Sequence, residues 1–217
     1  MKKKSKELRD YIEKNIFPIY QKNDKAHDIN HIYYVIRRSF IFAHQLDDID
    51  DDMVYTIAAF HDIGHHINKK DHELLSAHIF YENEEMKKFF TEEQRIIMKE
   101  AIEDHRASLE HEPRSIYGKI VSSADRTVDL NMILQRTHAF SLKHESNLSD
   151  EEMAKRAYFY IQKKYGVGGY AKIYFYDEEY IQFQNDLHEL LNDMEQFIKR
   201  YYEVNHIMKT KNKVRLQ

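Results

Sequence analysis

Apolar residues recur every three or four positions along most of the chain, which is the spacing that gathers them on one face of an α-helix. The pattern is clearest near the two ends, at Leu8, Ile12 and Ile16 and again at Phe183, Leu187 and Leu191. An alternation of apolar and polar residues appears only briefly, so that only residues 170–176 predict a short extended piece. The hydrophobic pattern therefore predicts an all-α fold.

Helix start and stop signals divide this pattern into seven predicted helices. Thr91-Glu-Glu-Gln94 and Ser149-Asp-Glu-Glu152 are capping boxes, and Asp28 and the acidic run Asp50-Asp51-Asp52 suit helix N-termini. Gly64 is expected to end the third helix by adopting a positive φ. The predicted helices cover about residues 5–20, 28–45, 50–64, 91–106, 115–140, 149–165 and 178–202.

Composition strengthens the helical interpretation and removes several classes of function. The 217 residues include only 5 glycines and 2 prolines, whereas average usage of both would give roughly 26. Cysteine is absent, which excludes disulfide scaffolds, thiol catalysis, iron–sulfur clusters and cysteine-ligated zinc. A chain of this length and composition fits a single domain over residues 1–217.

Charge and hydropathy argue against two classes of partner. The formal net charge is −4, which gives no support to nucleic-acid binding. No apolar run approaches the ~18 residues of a membrane span, and no apolar segment follows the basic start of the chain, so no signal peptide is predicted. We expect a cytoplasmic protein without nucleic-acid or membrane partners, and the oligomeric state stays open.

Histidine is frequent, with 14 copies, and one of them begins the most informative motif. His61-Asp62-Ile63-Gly64 stands at the end of an apolar predicted helix. Two adjacent ionisable groups are costly there unless they are paired or bind a metal. Neighbouring helical residues point ~100° apart, so the histidine and the aspartate suit two adjacent metal ions better than one.

Other residues of metal-ligating type lie elsewhere in the chain. They are His31 beside the buried stripe of its helix, His72, His105 at a helix end, and Asp125 after a run of apolar and small residues. Each has a simpler explanation when taken singly. A histidine near an apolar stripe is more often a core residue, and an aspartate at such a position is more often a helix cap.

The order of these residues along the chain, His31, then His61-Asp62, then Asp125, resembles the HD superfamily of metal-dependent phosphohydrolases. The resemblance covers about residues 28–130 and implies a helical bundle of the HD-domain type. The implied organisation is an HD core over about residues 28–140, followed by a C-terminal helical extension over 149–205.

Two more histidines extend the resemblance to the binuclear branch of the superfamily, which includes bacterial enzymes that split dinucleotide tetraphosphates. They are His72, which is followed by a pair of small residues, and His105. The resemblance implies two divalent transition-metal ions, of Mn, Fe, Co, Ni or Zn. The implied ligands are His31, His61, Asp62, His72, His105 and Asp125.

The activity implied by the resemblance is hydrolysis of a phosphoester or phosphoanhydride, as in a phosphatase, nucleotidase or pyrophosphatase. Four neutral histidines, two aspartates and two divalent ions leave a positive net charge, which favours a phosphate-bearing substrate. By resemblance, Asp62 would bridge the ions as the catalytic residue, and a metal-bridging hydroxide would attack phosphorus. The expected substrate is a small phosphorylated metabolite, with a nucleotide favoured.

Cationic residues near the implied ligands are candidates for holding substrate phosphate, with a solvated surface charge as the alternative. These candidates are Arg106, Arg126, Lys69 and Lys70. Three further histidines are candidates for a supporting or proton-donating role beside the ligands. They are His27, His65 and His66.

Two other functions stay open at the level of sequence. A related oxygenase of HD fold uses a di-iron pair with the same ligand types, so oxidative chemistry is one alternative. A non-catalytic binding or regulatory module built on a degenerate HD fold is the other. Oxygen consumption would identify the first, and a purified protein without bound transition metal would favour the second.

Overall fold

The computed structural model describes residues 3–207, and all regular secondary structure in that range is helical. The α-helices are α1 (Lys3–Asn15), α2 (Ile29–Ala43), α3 (Asp51–Phe60), α4 (His72–Tyr81), α5 (Met86–Phe89), α6 (Glu92–Glu103), α7 (Ile116–Ala124), α8 (Leu130–His144), α9 (Asp150–Tyr165), α10 (Glu178–Leu191) and α11 (Met194–Val204). Two 3-10 helices, Phe17–Lys22 and Lys25–His27, connect α1 to α2. Within the described range, no helix has the length and apolar character that crossing a membrane requires. The predicted all-α fold is confirmed.

Several predicted helix ends lie where their signals place them. Asp28 caps α2 by accepting hydrogen bonds from the backbone N–H groups of Asn30 and His31. Both predicted capping boxes are present, at the starts of α6 and α9. The first helix is shorter than predicted and ends at Asn15, because the chain tightens into a 3-10 helix that contains Pro18 at its start.

Two of the predicted helices are each interrupted by an aspartate. The helix predicted over residues 115–140 is two helices, α7 and α8, and Asp129 caps α8 by accepting from the backbone N–H of Met132. The helix predicted over 178–202 is also two helices, and Asp193 caps the second of them, α11. An aspartate can accept backbone hydrogen bonds and start a new helix inside an amphipathic run.

The segment 170–176 was predicted as a short extended piece and is irregular, without a strand. Residues 172–176 are held by side-chain packing and by backbone hydrogen bonds, and Gln45 Nε2 donates to the carbonyl of Tyr176 over 2.9 Å. Phe175 stacks on Phe42 of α2 with ring centroids 5.4 Å apart. The backbone N–H of Tyr174 donates to Ser123 Oγ over 3.0 Å.

The first of two compact units contains α1–α7 and the segment Lys172–Tyr176. Its central element is α3, in which every residue from Met53 to Phe60 is buried. Phe60, at the end of α3, packs edge-on against Phe80 of α4 with ring centroids 5.3 Å apart. Because α3 is surrounded by protein on all sides, the residues that follow it are also placed in the interior.

The second unit contains α8–α11. Tyr158 of α9 packs edge-on against Phe197 of α11, with ring centroids 5.3 Å apart, and its hydroxyl donates to the carbonyl of Leu191 over 2.8 Å. The predicted single domain, with a core over 28–140 and an extension over 149–205, stays a prediction.

Candidate metal centre

The turn after α3 contains His61 and Asp62 and packs closely against α4. Gly64 does not adopt a positive φ, so the predicted left-handed helix end is wrong. A Cβ on this glycine would lie 3.0 Å from the backbone nitrogen of Ser76. The Gly64 N–H instead donates to Ser76 Oγ over 3.0 Å. Glycine is therefore needed here for the close approach of two backbone segments.

All six residues that the resemblance implied as ligands meet in the interior of the first unit. They come from five places in the sequence, and each lies in or at the end of a helix or in the turn after α3. His31 lies in α2, His61 and Asp62 follow α3, His72 begins α4, His105 follows α6, and Asp125 caps the C-terminus of α7. His61, Asp62 and His105 are buried, and the other three are half-buried.

The four histidines form two pairs, and Asp62 lies between the pairs. His31 Nε2 and His61 Nε2 are 3.3 Å apart, and His72 Nε2 and His105 Nε2 are 3.2 Å apart. Asp62 Oδ2 lies 3.6 Å and 3.5 Å from the nitrogens of the first pair. Asp62 Oδ1 lies 3.2 Å and 3.5 Å from those of the second pair. The carboxylate therefore presents one oxygen to each pair.

Asp125 adds a second carboxylate to the first pair only. Its Oδ1 lies 3.2 Å from His31 Nε2 and 3.9 Å from His61 Nε2. Two ligand groups result, one with two histidines and two carboxylate oxygens, the other with two histidines and one.

Backbone carbonyls fix the orientation of three of the histidine rings. The Nδ1 atoms of His61, His72 and His105 lie 2.8 Å, 3.1 Å and 2.6 Å from the carbonyl oxygens of Ala58, Lys69 and Ile102, respectively. When Nδ1–H donates to a carbonyl, the lone pair of a neutral imidazole is on Nε2, the nitrogen that faces the site.

This arrangement fits metal ions. Two unprotonated nitrogens cannot hydrogen-bond to each other, and a cation between them, either a metal ion or a proton, offsets their repulsion. Two nitrogens that each lie about 2.1 Å from one ion are roughly 3.0–3.4 Å apart at ordinary coordination angles, which matches both pairs. Among the described residues, Asp62 Oδ1 is also buried without a hydrogen-bond partner, and a bound cation would satisfy it.

The electrostatics of the cluster also favour cations. Burial alone would raise the pKa of Asp62, but the neighbouring histidines, His61 first among them, outweigh it and hold the pKa well below its usual range. Asp125 behaves in the same way, with His31 as the main opposing partner. Burial lowers the pKa of His61, yet the two carboxylates outweigh it and raise that pKa to about 9. Both carboxylates are therefore ionised at neutral pH.

The candidate substrate-binding cations lie in different surroundings. Arg126 is buried, and its Nη2 donates to the carbonyl of His105 over 3.2 Å and to Ser122 Oγ over 2.7 Å. Arg126 Nη1 lies 3.4 Å from Asp125 Oδ2. This guanidinium therefore contacts two of the candidate ligands, the backbone carbonyl of His105 and the carboxylate of Asp125.

The other three cations are more exposed. Arg106 Nη1 donates to Glu73 Oε1 over 2.8 Å and to the carbonyl of Lys70 over 2.7 Å. Lys69 Nζ contacts the carboxylate of Asp24. Both lysines are exposed.

The three supporting histidines all lie near the centre in sequence, but only two have ring contacts with its ligands. The rings of His27 and His65 are stacked with centroids 3.8 Å apart. His65 is 5.2 Å from the ring of His72, and His27 is 5.9 Å from the ring of His31. His66 is half-buried, and within the described residues its Nδ1 has no hydrogen-bond partner.

Sequence reasoning missed two acidic residues beside the centre. Asp24 lies 2.7 Å from His27 Nδ1. Asp104 is buried directly before His105 and accepts from the backbone N–H and the guanidinium of Arg114. The position of Asp104 next to a candidate ligand was a visible signal, whereas its pairing with an arginine ten residues later depends on the fold.

A family model and a solved structure are similar to this chain. Residues 28–128 match the family model of the HD domain. The crystal structure of a predicted HD superfamily hydrolase from an uncultured Thermotogales bacterium is similar to this chain, with 19% sequence identity, 91% of each chain covered and a TM-score of 0.48. No curated protein matches the chain.

The family match begins at the N-cap of α2 and ends just after Asp125, so it contains every candidate ligand. It agrees with the helical-bundle fold and with the extent that the resemblance gave. Residues 28–128 of the chain therefore match an HD domain.

Proposed function

We propose that this protein is a metal-dependent hydrolase that cleaves a phosphoester or phosphoanhydride bond. The main support is the position of Asp62, which presents one carboxylate oxygen to each of two histidine pairs. A carboxylate shared in this way is suited to bridging two ions. Two-metal sites of this kind are used for displacement at phosphorus.

The donor atoms divide between two ions. One ion would be held by His31, His61 and Asp125, the other by His72 and His105, and Asp62 would be shared. When bound, divalent ions supply an activated water and neutralise the charge that develops on the leaving oxygen. The chain itself holds the imidazole rings in place through the carbonyls that accept from Nδ1.

The proposed substrate is a small phosphorylated metabolite, with a nucleotide as the favoured class. Arg106 directly follows His105 and keeps 36% of its side chain exposed, which supports a contact with substrate phosphate. Lys69 and Lys70 are proposed for the same role. The burial of Arg126 and its bonds to the ligand segments instead support a role in holding the ligands.

Metal analysis followed by a substrate screen tests this proposal. The purified protein is loaded with Mn²⁺, Fe²⁺, Co²⁺, Ni²⁺ or Zn²⁺, and phosphate and pyrophosphate release is measured over nucleotides and simple phosphate esters. We expect at least two ions per chain and release that a chelator abolishes. Oxygen consumption coupled to turnover would indicate the oxygenase alternative instead, and a chain that binds no transition metal would contradict the proposal.

A further inference from the structure

A third group of metal-ligating side chains lies beside the six-residue centre. Asp24, His27 and His65 each offer one ligand atom, and these three atoms all lie within 4.8 Å of one another. Asp24 caps the 3-10 helix Lys25–His27, and its Oδ1 lies 2.7 Å from His27 Nδ1. The local backbone therefore fixes two of the three side chains relative to each other.

The third side chain, His65, is the buried member of this group. It is only 5% exposed, and its Nδ1 is buried with no hydrogen-bond partner among the described residues. Its ring is stacked on that of His27 with centroids 3.8 Å apart and an angle of 25° between the planes. A buried ring nitrogen without a partner is unfavourable, and a bound cation is one way to satisfy it.

The group already attracts a cation. Lys69 Nζ contacts the carboxylate of Asp24. Burial would raise the pKa of Asp24, but Lys69 and His27 outweigh it and lower that pKa. The carboxylate is therefore ionised at neutral pH, and a metal ion at this place would compete with the ammonium group of Lys69.

We propose that Asp24, His27 and His65 bind a third divalent transition-metal ion next to the two-metal centre. Two histidines and one carboxylate on one side of an ion are a ligand set for Fe²⁺ and similar metals, and leave further positions open for water or another ligand. The ring contacts of His27 with His31 and of His65 with His72 place this third site beside both histidine pairs. Its existence does not depend on the proposed hydrolase activity.

Anomalous diffraction from crystals of the full chain soaked in MnCl₂ tests this site directly. We expect a manganese peak about 2.0–2.3 Å from ligand atoms of all three residues, in addition to peaks at the centre around Asp62. Peaks only around Asp62 would overturn the third site and leave the proposed function standing. A peak at Asp24 without any at Asp62 would support the third site and contradict the proposed function.

Metal titration of variants provides a second readout. Asp24→Asn and His27→Gln are expected to bind one Mn²⁺ ion fewer per chain than the unmodified protein, while His78→Ala, which removes an exposed histidine of α4, binds the same number. Circular dichroism confirms that each variant is folded. An unchanged Mn²⁺ count in both Asp24→Asn and His27→Gln would overturn the proposal.

Lys69 offers a test in the opposite direction. Lys69→Met removes the competing ammonium group while keeping a side chain of similar length. We expect the weakest Mn²⁺ site to gain about two- to fivefold in affinity, which is the range that loss of one exposed ion pair allows. An unchanged or weakened affinity would show that Lys69 and Asp24 form a structural ion pair only and would count against a metal ion at this place.

Discussion

At the scale of single residues, Arg126 shows how the interior supports the candidate ligands. Its guanidinium is buried and donates to the carbonyl of His105 and to Ser122, close to the Asp125 carboxylate. Groups that hydrogen-bond to metal ligands without contacting the metal fix the orientation of those ligands and preserve the charge balance of the site. We therefore propose a positioning role for Arg126, and its predicted contact with substrate stays untested.

Substitution of this arginine is expected to weaken metal binding without removing a ligand. In Arg126→Gln, the His105 segment and Asp125 lose their shared partner, and we predict a loss of about 10- to 100-fold in Mn²⁺ affinity. Calorimetric titration measures this loss. Arg200→Gln, at a half-exposed arginine of α11, is the control, and an equal affinity in both variants would contradict the positioning role.

A second residue-scale prediction concerns His138 in the second unit. Tyr201 Oη lies 2.9 Å from His138 Nδ1 and can donate only while the imidazole is neutral. Burial lowers the pKa of His138 below its ordinary 6.5, so the unfolded chain binds the proton more readily than the folded one. The stabilising contribution is therefore complete above about pH 6.5 and is lost as the pH falls through the lower pKa of the folded protein.

Thermal denaturation between pH 7.5 and 5 measures this effect. We predict that the unmodified protein loses more stability on acidification than His138→Gln does. His144→Gln, which removes an exposed histidine of α8, should follow the unmodified protein. If the difference in Tm between the unmodified protein and His138→Gln is the same at both pH values, the titration of His138 has no effect on stability.

Sequence reasoning reached the candidate centre but not all of its surroundings. The fold brings together all six residues that the family resemblance implied, and their role as ligands stays a prediction. Asp24 and Asp104 were missed because each acts through a contact that is set by the fold, with Lys69 and Arg114 respectively. The burial of Arg126 favours a positioning role over a substrate contact. Whether a single arginine is buried cannot be predicted from its neighbours in sequence.

At the scale of elements, the centre depends on how closely the turn after α3 approaches α4. Gly64 allows this close approach because it has no Cβ, and its N–H donates a hydrogen bond to Ser76 Oγ. α3 carries the chain to Asp62, and α4 begins at His72. The distance between these two helices therefore sets the distance between two of the candidate ligands.

Gly64→Ala is predicted to destabilise the protein and to disturb the centre. The added Cβ would lie 3.0 Å from the Ser76 nitrogen and from Leu75 Cγ, so one of the two segments must shift. Overpacking of this kind costs about 1–3 kcal/mol, which urea denaturation measures. Gly168→Ala is unsuitable as a control because Gly168 has a φ of +76°. Ser108→Ala, at an exposed position, serves instead, and an equal stability in the two alanine variants would contradict the close-approach argument.

Helix starts were predicted correctly where a capping box is present. Two breaks were missed where a continuous apolar stripe runs across the boundary between two helices. The capping boxes at Thr91 and Ser149 open helices as predicted. Asp129 and Asp193 each start a new helix inside a periodic run. Both helices bury an apolar face, so the hydrophobic periodicity continues across such a break. The position of the break is therefore visible in the structure and not in the pattern.

At the scale of the whole molecule, the candidate centre belongs entirely to the first compact unit. Its ligands come from α2, α4 and the ends of α3, α6 and α7. An ion that binds them links segments far apart in the sequence, and binding to the folded state alone stabilises that state. Metal binding should therefore be visible as a change in thermal stability.

We predict that removing metal lowers the Tm. At a Mn²⁺ concentration about 100-fold above Kd, one site contributes about 2.7 kcal/mol, which corresponds to roughly 5–10 °C for a chain of this size. Differential scanning calorimetry with EDTA or with Mn²⁺ measures the shift. Equal Tm values under the two conditions would indicate that no ion binds the folded state selectively.

In the proposed mechanism, Asp62 holds two ions that support hydrolysis of a phosphate bond. The most direct test compares metal-dependent release of phosphate or pyrophosphate by the unmodified protein and by Asp62→Ala, with the exposed Asp47→Ala as a control. We predict that Asp62→Ala keeps its helical content but loses activity by at least about 100-fold, while Asp47→Ala stays active. Full metal-dependent activity in folded Asp62→Ala would contradict the claim.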